Sequence, residues 1–219
     1  HPAQPQLAQP IKPAEIDPLD KMPILQHVDD AAYKTAFPIE QRGQEFRKYL
    51  SASVKIGIQN GIYSTSGSAT IVYYDPNKNI AYLASCGHLW DEGMMDAATA
   101  AKYKKTVKVI VWYHNDVKLP APKTYTGTMI FYSNRMGCDT SLITFQPDWV
   151  PEYFPIAPLN YEIKPQSRQH SLGCDAGNEV AHYDVEIIGM QGSDLVTRYN
   201  SPRPGRSGGG LMTEDGYYI

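Results

Sequence analysis

Residues 205–211 read Gly-Arg-Ser-Gly-Gly-Gly-Leu, a serine inside a glycine-rich turn that leads into an apolar strand. Glycines on both sides of Ser207 let the backbone turn so that successive N–H groups converge on one point, where a negatively charged oxygen would be stabilised. A serine hydroxyl is a poor nucleophile at neutral pH until a neighbouring base takes its proton. Ser207 can therefore act as a nucleophile only if the chain also supplies a base.

Two further segments supply a base and an acid. Residues 82–90, Tyr-Leu-Ala-Ser-Cys-Gly-His-Leu-Trp, have a strand pattern that ends in small residues and is followed by His88. Residues 138–143, Cys-Asp-Thr-Ser-Leu-Ile, place Asp139 at the start of an apolar strand. Histidine titrates in the range that lets it accept a hydroxyl proton, and an aspartate on its far ring nitrogen fixes the tautomer. Each segment is a weak signal alone, and together they suit activation of Ser207.

Around these segments the sequence predicts a mostly β protein. The 219 residues include 16 Tyr, 17 Gly and 17 Pro, which is typical of short strands joined by tight turns. Helical spacing predicts a helix over residues 39–50, and a stretch rich in Ala and Met predicts another over 91–105. Alternating patterns predict strands at 53–58, 69–74, 80–86, 106–114, 124–132, 140–145, 169–174, 180–190, 195–200 and 207–213.

The composition divides the chain into four parts. Seven prolines fall within the first 38 residues, so residues 1–50 are predicted to form a proline-rich extended arm followed by a short helix. Residues 51–145 are predicted to form a first β unit, which carries His88 and Asp139, 146–166 a linker, and 167–219 a second β unit, which carries Ser207. The chain begins at His1 instead of methionine, from which we expect that an upstream segment was removed.

Charge and cysteine content exclude several functions. The formal net charge is -3 and no Lys/Arg cluster is present, which excludes nucleic acid as the expected partner. The longest apolar stretch, residues 109–113, is far shorter than the roughly 20 residues of a membrane helix. The cysteines, Cys86, Cys138 and Cys174, are too few for a disulfide scaffold and too scattered for a zinc site.

Taken together, the segments resemble the serine proteases of the trypsin/chymotrypsin fold. Residues 67–72 look like the strand before the histidine, 85–88 like the histidine box, 139–143 like the aspartate box and 205–211 like the G-x-S-G-G nucleophile loop. Such enzymes use the order His, Asp, Ser along the chain. The resemblance extends from about residue 53 to the end of the chain, and the nucleophile loop is its most specific part.

The resemblance implies a fold and a mechanism. We expect two six-stranded antiparallel β-barrels, the second incomplete because 12 residues follow Ser207, and therefore a chain that is a fragment of a longer one. His88 is then the general base, Asp139 its orienter and Ser207 the nucleophile of an acyl-enzyme that hydrolyses peptide bonds. The backbone N–H groups of Gly205 and Ser207 form the oxyanion hole. No metal or organic cofactor is implied.

Several positions depart from the family or limit what it implies. Arg206 stands where animal digestive relatives carry the aspartate used in zymogen activation, so the chain more closely resembles bacterial members that fold directly into an active form. We expect Arg198, Arg203 and Arg206 to be solvated loop charges, and the alternative is that they bind an acidic side chain of the substrate. Ser201, six residues before the nucleophile, corresponds to the pocket base, and its neutral side chain disfavours a demand for Lys or Arg.

The pairing of the cysteines, the partners and the location of the protein are also expectations at this stage. Cys86 and Cys138 are predicted neighbours, as thiols or as a bridge, and Cys174 is expected to pair with a cysteine that follows Ile219 in a longer chain. The substrate is a polypeptide, and the resemblance implies a secreted, periplasmic or cell-envelope protein. The alternative reading is a protease-like scaffold without turnover that uses the N-terminal arm to bind protein partners within a larger assembly.

Overall fold

The computed structural model describes residues 44–60, 63–90, 106–135, 138–164, 166–191, 194–198 and 204–219. Its first element is helix α1, Gln44–Ser51, which overlaps the helix predicted over 39–50. The arm predicted for residues 1–38 and the helix predicted over 91–105 lie outside the described residues.

Six antiparallel strands close into a barrel. The strands are β1 Ser53–Asn60, β2 Tyr63–Asp75, β3 Ile80–Ser85, β4 Thr106–His114, β5 Val117–Arg135 and β6 Cys138–Phe145. Around the barrel their order is β1, β2, β3, β6, β5, β4, and pairing of β1 with β4 completes the closure. Register shifts in β2 at Ile71/Tyr73 and in β5 at Met129/Phe131 bend these two long strands.

The barrel interior follows from the period-two pattern of the strands. In β4, Val107, Val109 and Val111 are fully buried, whereas Lys108 between them and Thr106 before them are exposed. Alternate side chains of a strand point to opposite faces, so one face of β4 fills the barrel core. Trp90 closes this core just beyond β3, and it is 2% exposed.

The second unit is an antiparallel sheet of four strands in the described residues. Its order is β10, β7, β8, β9, with β7 Ser167–Gly173, β8 Ala181–Gln191, β9 Asp194–Arg198 and β10 Leu211–Thr213. The strand predicted at 207–213 begins four residues late, because residues 207–210 form the turn before it. Near the end of the chain, Tyr218 makes isolated bridges to Ile156 and Met212.

The core of the second sheet includes residues from the start of the described chain. Leu50 and Ala52 pack with Leu172 and Met212 in one buried cluster. Tyr49 of α1 stacks on Phe154, with ring centroids 4.8 Å apart. The helix before β1 therefore covers the second sheet.

The sequence-based expectation of a mostly β protein is confirmed, and the predicted strands overlap the observed ones. The division at residues 50, 145 and 166 into separate domains stays a prediction. No helix in the described parts of the chain has the length and apolarity needed to cross a membrane.

Candidate active site

His88 and Asp139 meet at one end of the barrel. β3 ends at Ser85, and a 3-10 turn, His88–Trp90, follows it, while β6 begins at Cys138. His88 Nδ1 lies 2.7 Å from Asp139 Oδ2. Asp139 Oδ1 accepts hydrogen bonds from the backbone N–H of Gly87 at 2.7 Å and of His88 at 2.8 Å. One carboxylate thus fixes both the backbone and the ring of His88.

These contacts keep Asp139 ionised. Partial burial raises the pKa of Asp139, but the hydrogen bonds from the His88 ring and from the two backbone N–H groups lower it more. The pKa of Asp139 is therefore below its ordinary value, and the group is a carboxylate at neutral pH. A carboxylate on Nδ1 holds the proton on that nitrogen and leaves Nε2 as the basic atom.

Gly87 is required by the close approach of β5. A Cβ atom at this position would lie 1.8 Å from the carbonyl oxygen of Ser133 and 2.9 Å from that of Thr140. No side chain fits there without moving the backbone. The glycine between Cys86 and His88 therefore lets the histidine segment pack against the strands that position Asp139.

Ser68 in β2 joins the serine turn to the barrel. Its backbone N–H donates to the Ser207 carbonyl at 2.7 Å, and its hydroxyl donates to the Gly205 carbonyl at 2.8 Å. The same hydroxyl accepts a hydrogen bond from the Cys174 N–H at 2.7 Å. Ser68 is 1% exposed, so these bonds are shielded from water. The turn of the second unit is thus hydrogen-bonded to the first.

Gly208 brings the turn against the end of β3. Its φ is +79°, and a Cβ atom there would lie 2.1 Å from Ser85 Oγ and 2.8 Å from the Cys86 nitrogen. The turn that carries Ser207 therefore packs directly on the residues that precede His88. In the described residues no hydrogen bond joins the Ser207 hydroxyl to the His88 ring. His88 Nε2 instead faces Cys86 Sγ at 3.7 Å.

The backbone around Gly205 is also constrained. The Pro204 carbonyl accepts a hydrogen bond from the Ala176 N–H at 2.6 Å, and Gly205 has φ +86°. Because a trans peptide directs its C=O and N–H to opposite sides, the Gly205 N–H points away from the 3-10 turn Asp175–Gly177. The Arg206 carbonyl accepts from the Gly209 N–H at 2.8 Å, which closes the turn.

Arg206 is buried, so its expected role as a solvated loop charge is wrong. Its guanidinium donates to Asp175 Oδ1 at 3.1 Å and to the carbonyl and hydroxyl of Ser171 at 2.8 and 2.9 Å. The Tyr183 ring lies 4.4 Å from its central carbon, and the Tyr183 hydroxyl donates to Asp175 Oδ2. A buried charge needs such a partner, because the interior solvates ions poorly. The side chains of Arg198 and Arg203 lie outside the described residues.

The three cysteines are free thiols, and two of them are buried. Burial, together with the nearby Asp139 charge, raises the pKa of Cys86 to about 11, and burial raises that of Cys174 to about 12. Although the sequence suggested no zinc site, Cys86, His88 and Asp139 offer ligand atoms that all lie within 4.8 Å of one another. Ser201, the predicted pocket residue, lies outside the described residues.

The sequence did not indicate two residues that position the serine turn, Ser68 and Asp175. Ser68 lies in a run of small polar residues in β2 that differs little from its neighbours. Asp175 is 31 positions from Arg206 and carries no motif. Arg206, the residue before the proposed nucleophile, was the one indication of such a partner. If the turn is buried, its guanidinium needs a buried negative charge nearby.

Two solved structures have a similar fold, and one of them is a serine endoprotease. The serine endoprotease from Yersinia pestis has a TM-score of 0.57 and 17% identity, over 80% of this chain and 54% of that one. Deg5 has a TM-score of 0.56 and 15% identity, over 80% of each chain. This chain thus spans about half the length of the first. No family model and no curated protein matches the sequence. The predicted trypsin-like fold is confirmed by these likenesses.

Proposed function

We propose that this chain, which has the trypsin-like fold, is a serine endopeptidase in which Ser207 is the nucleophile, His88 the general base and Asp139 its orienter. The observation that carries the proposal is the 2.7 Å contact between His88 Nδ1 and Asp139 Oδ2, with the same carboxylate held by two backbone N–H groups. That arrangement prepares Nε2 to accept a proton, and the serine turn packs against the same strand end.

The proposed reaction follows the chemistry of the three side chains. Ser207 Oγ attacks the substrate carbonyl while His88 Nε2 takes the hydroxyl proton, and Asp139 stabilises the resulting imidazolium. The proton then passes to the leaving amine, and water hydrolyses the acyl-enzyme. This requires the Ser207 hydroxyl to come within hydrogen-bond reach of Nε2, a contact that often tightens only when substrate binds.

The proposal also assigns an oxyanion hole and a substrate pocket. The backbone N–H groups of Gly205 and Ser207 are proposed to stabilise the negatively charged oxygen of the tetrahedral intermediate. In support, the carbonyl of the Pro204–Gly205 peptide bond accepts a hydrogen bond from the Ala176 N–H, so the N–H of the same peptide bond points the other way. Ser201 is proposed at the pocket base, where its neutral side chain disfavours a demand for Lys or Arg at the cleaved bond. The substrate is a polypeptide, and a secreted, periplasmic or cell-envelope location stays a prediction from the resemblance.

Labelling with a fluorophosphonate tests the nucleophile. We expect the protein to be labelled at Ser207 and to hydrolyse an unfolded protein such as casein. Ser207→Ala should lose the label and several orders of magnitude in rate while keeping its far-ultraviolet circular dichroism. The control is Ser64→Ala, which removes an exposed strand hydroxyl and should keep both label and rate.

The same experiment separates the proposal from the scaffold alternative. A folded protein that neither reacts with the probe nor cleaves casein would support a scaffold without turnover. Hydrolysis that persists in Ser207→Ala would exclude Ser207 as the nucleophile. His88→Ala should behave like Ser207→Ala, because a serine without its base is not activated.

A further inference from the structure

Cys86 Sγ and His88 Nε2 are separated by the distance that one metal ion would bridge. The two atoms lie 3.7 Å apart. Zn²⁺ binds cysteine sulfur at about 2.3 Å and histidine nitrogen at about 2.05 Å, so a tetrahedral ion holds the two atoms about 3.6 Å apart. The Sγ–Nε2 separation therefore matches that of a two-residue chelate.

His88 also carries the support that metal-binding histidines usually have. Ligating imidazoles commonly donate their other N–H to a carboxylate, which fixes the tautomer and makes the ligand nitrogen more basic. Asp139 Oδ2 lies 2.7 Å from His88 Nδ1, and a carboxylate oxygen of Asp139 lies within 4.8 Å of Cys86 Sγ. Asp139 thus positions the histidine ring and need not be a ligand itself.

The position is accessible from solvent on the histidine side. The side chains of His88 and Asp139 are 32% and 46% exposed, whereas Cys86 is 7% exposed and lies beneath them. An ion can therefore approach from solvent, bind both side chains and keep water in its remaining positions. Cysteine sulfur with imidazole nitrogen selects Zn²⁺ and similar ions over Mg²⁺ or Ca²⁺, which prefer oxygen.

We propose that Cys86 and His88 form an inhibitory site for Zn²⁺ and ions of similar ligand preference, with Asp139 as the positioning residue. On binding, the Cys86 thiol releases its proton to solvent and the thiolate and Nε2 each donate an electron pair to the metal. The inhibition rests on the proposed peptidase function, because the ion occupies the nitrogen that would take the serine proton. The binding itself does not depend on that function.

Spectroscopy tests the binding without reference to activity. Titration of the whole chain with Cd²⁺ or Co²⁺ should give a thiolate-to-metal charge-transfer band that saturates at one ion per chain. Cys86→Ala and Cys86→Ser should both lose the band, while Cys138→Ser, which removes the exposed cysteine, should keep it. Asp139→Asn should weaken metal affinity by about 10- to 100-fold. A band that survives in a folded Cys86 variant, that disappears in Cys138→Ser, or that never forms would overturn the site.

Activity tests the consequence. Zn²⁺ at saturation should lower hydrolysis of casein at least about 100-fold, because it blocks the general base, and the loss should reverse on adding a chelator. Each variant is compared with its own metal-free rate. Cys86→Ala should be inhibited much less than the Cys138→Ser control. A charge-transfer band without inhibition of an active enzyme would refute the inhibitory role. An enzyme inactive in every condition would refute the peptidase proposal, and the band would still decide the site.

Discussion

Removal of the Asp175 carboxylate should destabilise the turn that carries Ser207. In Asp175→Ala the Arg206 guanidinium stays in a site where only 7% of its side chain is exposed, and it loses its ion-pair partner at 3.1 Å. Removing one member of a buried ion pair costs about 3–5 kcal/mol in the free energy of unfolding. For a chain of this size each kcal/mol lowers Tm by about 2–4 °C, so a decrease of about 6–20 °C is expected.

Thermal unfolding followed by circular dichroism, together with urea titration, measures the effect. The matched control is Lys118→Met, which breaks the ion pair of Lys118 and Glu179, where the lysine side chain is 54% exposed. An exposed pair contributes about 0.2–1 kcal/mol, so this variant should unfold within a few degrees of the wild type. The difference between the two variants isolates the burial of the charge.

A double variant keeps the reasoning testable if Asp175→Ala does not fold. Arg206→Met with Asp175→Leu removes both charges and should recover much of the lost stability, because no buried charge is left without a partner. Equal stability of Asp175→Ala and Lys118→Met would refute the buried-pair argument. A double variant that is less stable than Asp175→Ala would refute it as well.

Three further predictions concern residues around the site. Gly87→Ala places a Cβ 1.8 Å from the Ser133 carbonyl oxygen and should lower the free energy of unfolding, measured in urea, by about 1–3 kcal/mol or more. The control is Gly57→Ala, whose Cβ would lie 3.6 Å from the Lys108 Cβ and which should not show this loss. Ser68→Ala leaves the buried Cys174 N–H and Gly205 carbonyl without their partner and should cost about 1–3 kcal/mol by the same assay; a neutral effect would contradict the role given to Ser68. Because folding lowers the pKa of Asp139, its contribution to stability is present above about pH 4 and is lost as pH falls through the lowered value. The stability difference between wild type and Asp139→Asn should therefore shrink on acidification in urea titrations, and a difference that grows would show that the sign is wrong.

The strands could be predicted from the sequence because their signal is local. Val107, Val109 and Val111 recur at every second position, and that period defines the inward face of β4. The pairing of His88 with Asp139 could be expected because both residues follow or begin apolar strands and occur in a familiar order. The start of β10 was predicted too early, since glycine-rich residues 207–210 precede an apolar strand without belonging to it.

The contacts that position the serine turn could not be predicted because they join distant parts of the chain. Arg206 was expected in solvent, since nothing beside it in the sequence offers a negative charge. Its partner Asp175, which follows β7, is brought near by the pairing of β7 with β10. The contact of Cys86 Sγ with His88 Nε2 depends on the backbone between them, where the 3-10 turn begins.

Tyr49, Leu50 and Ala52, which precede the first barrel strand, pack against the second sheet. The hydrophobic core of the second sheet is therefore built from residues that come before the barrel in the sequence as well as from residues that come after it. A recombinant piece that starts at the linker would expose the apolar surface that α1 covers, and it should aggregate. A piece that ends at residue 145 would carry α1 without the strands it covers. Neither half is therefore expected to fold stably when it is produced separately.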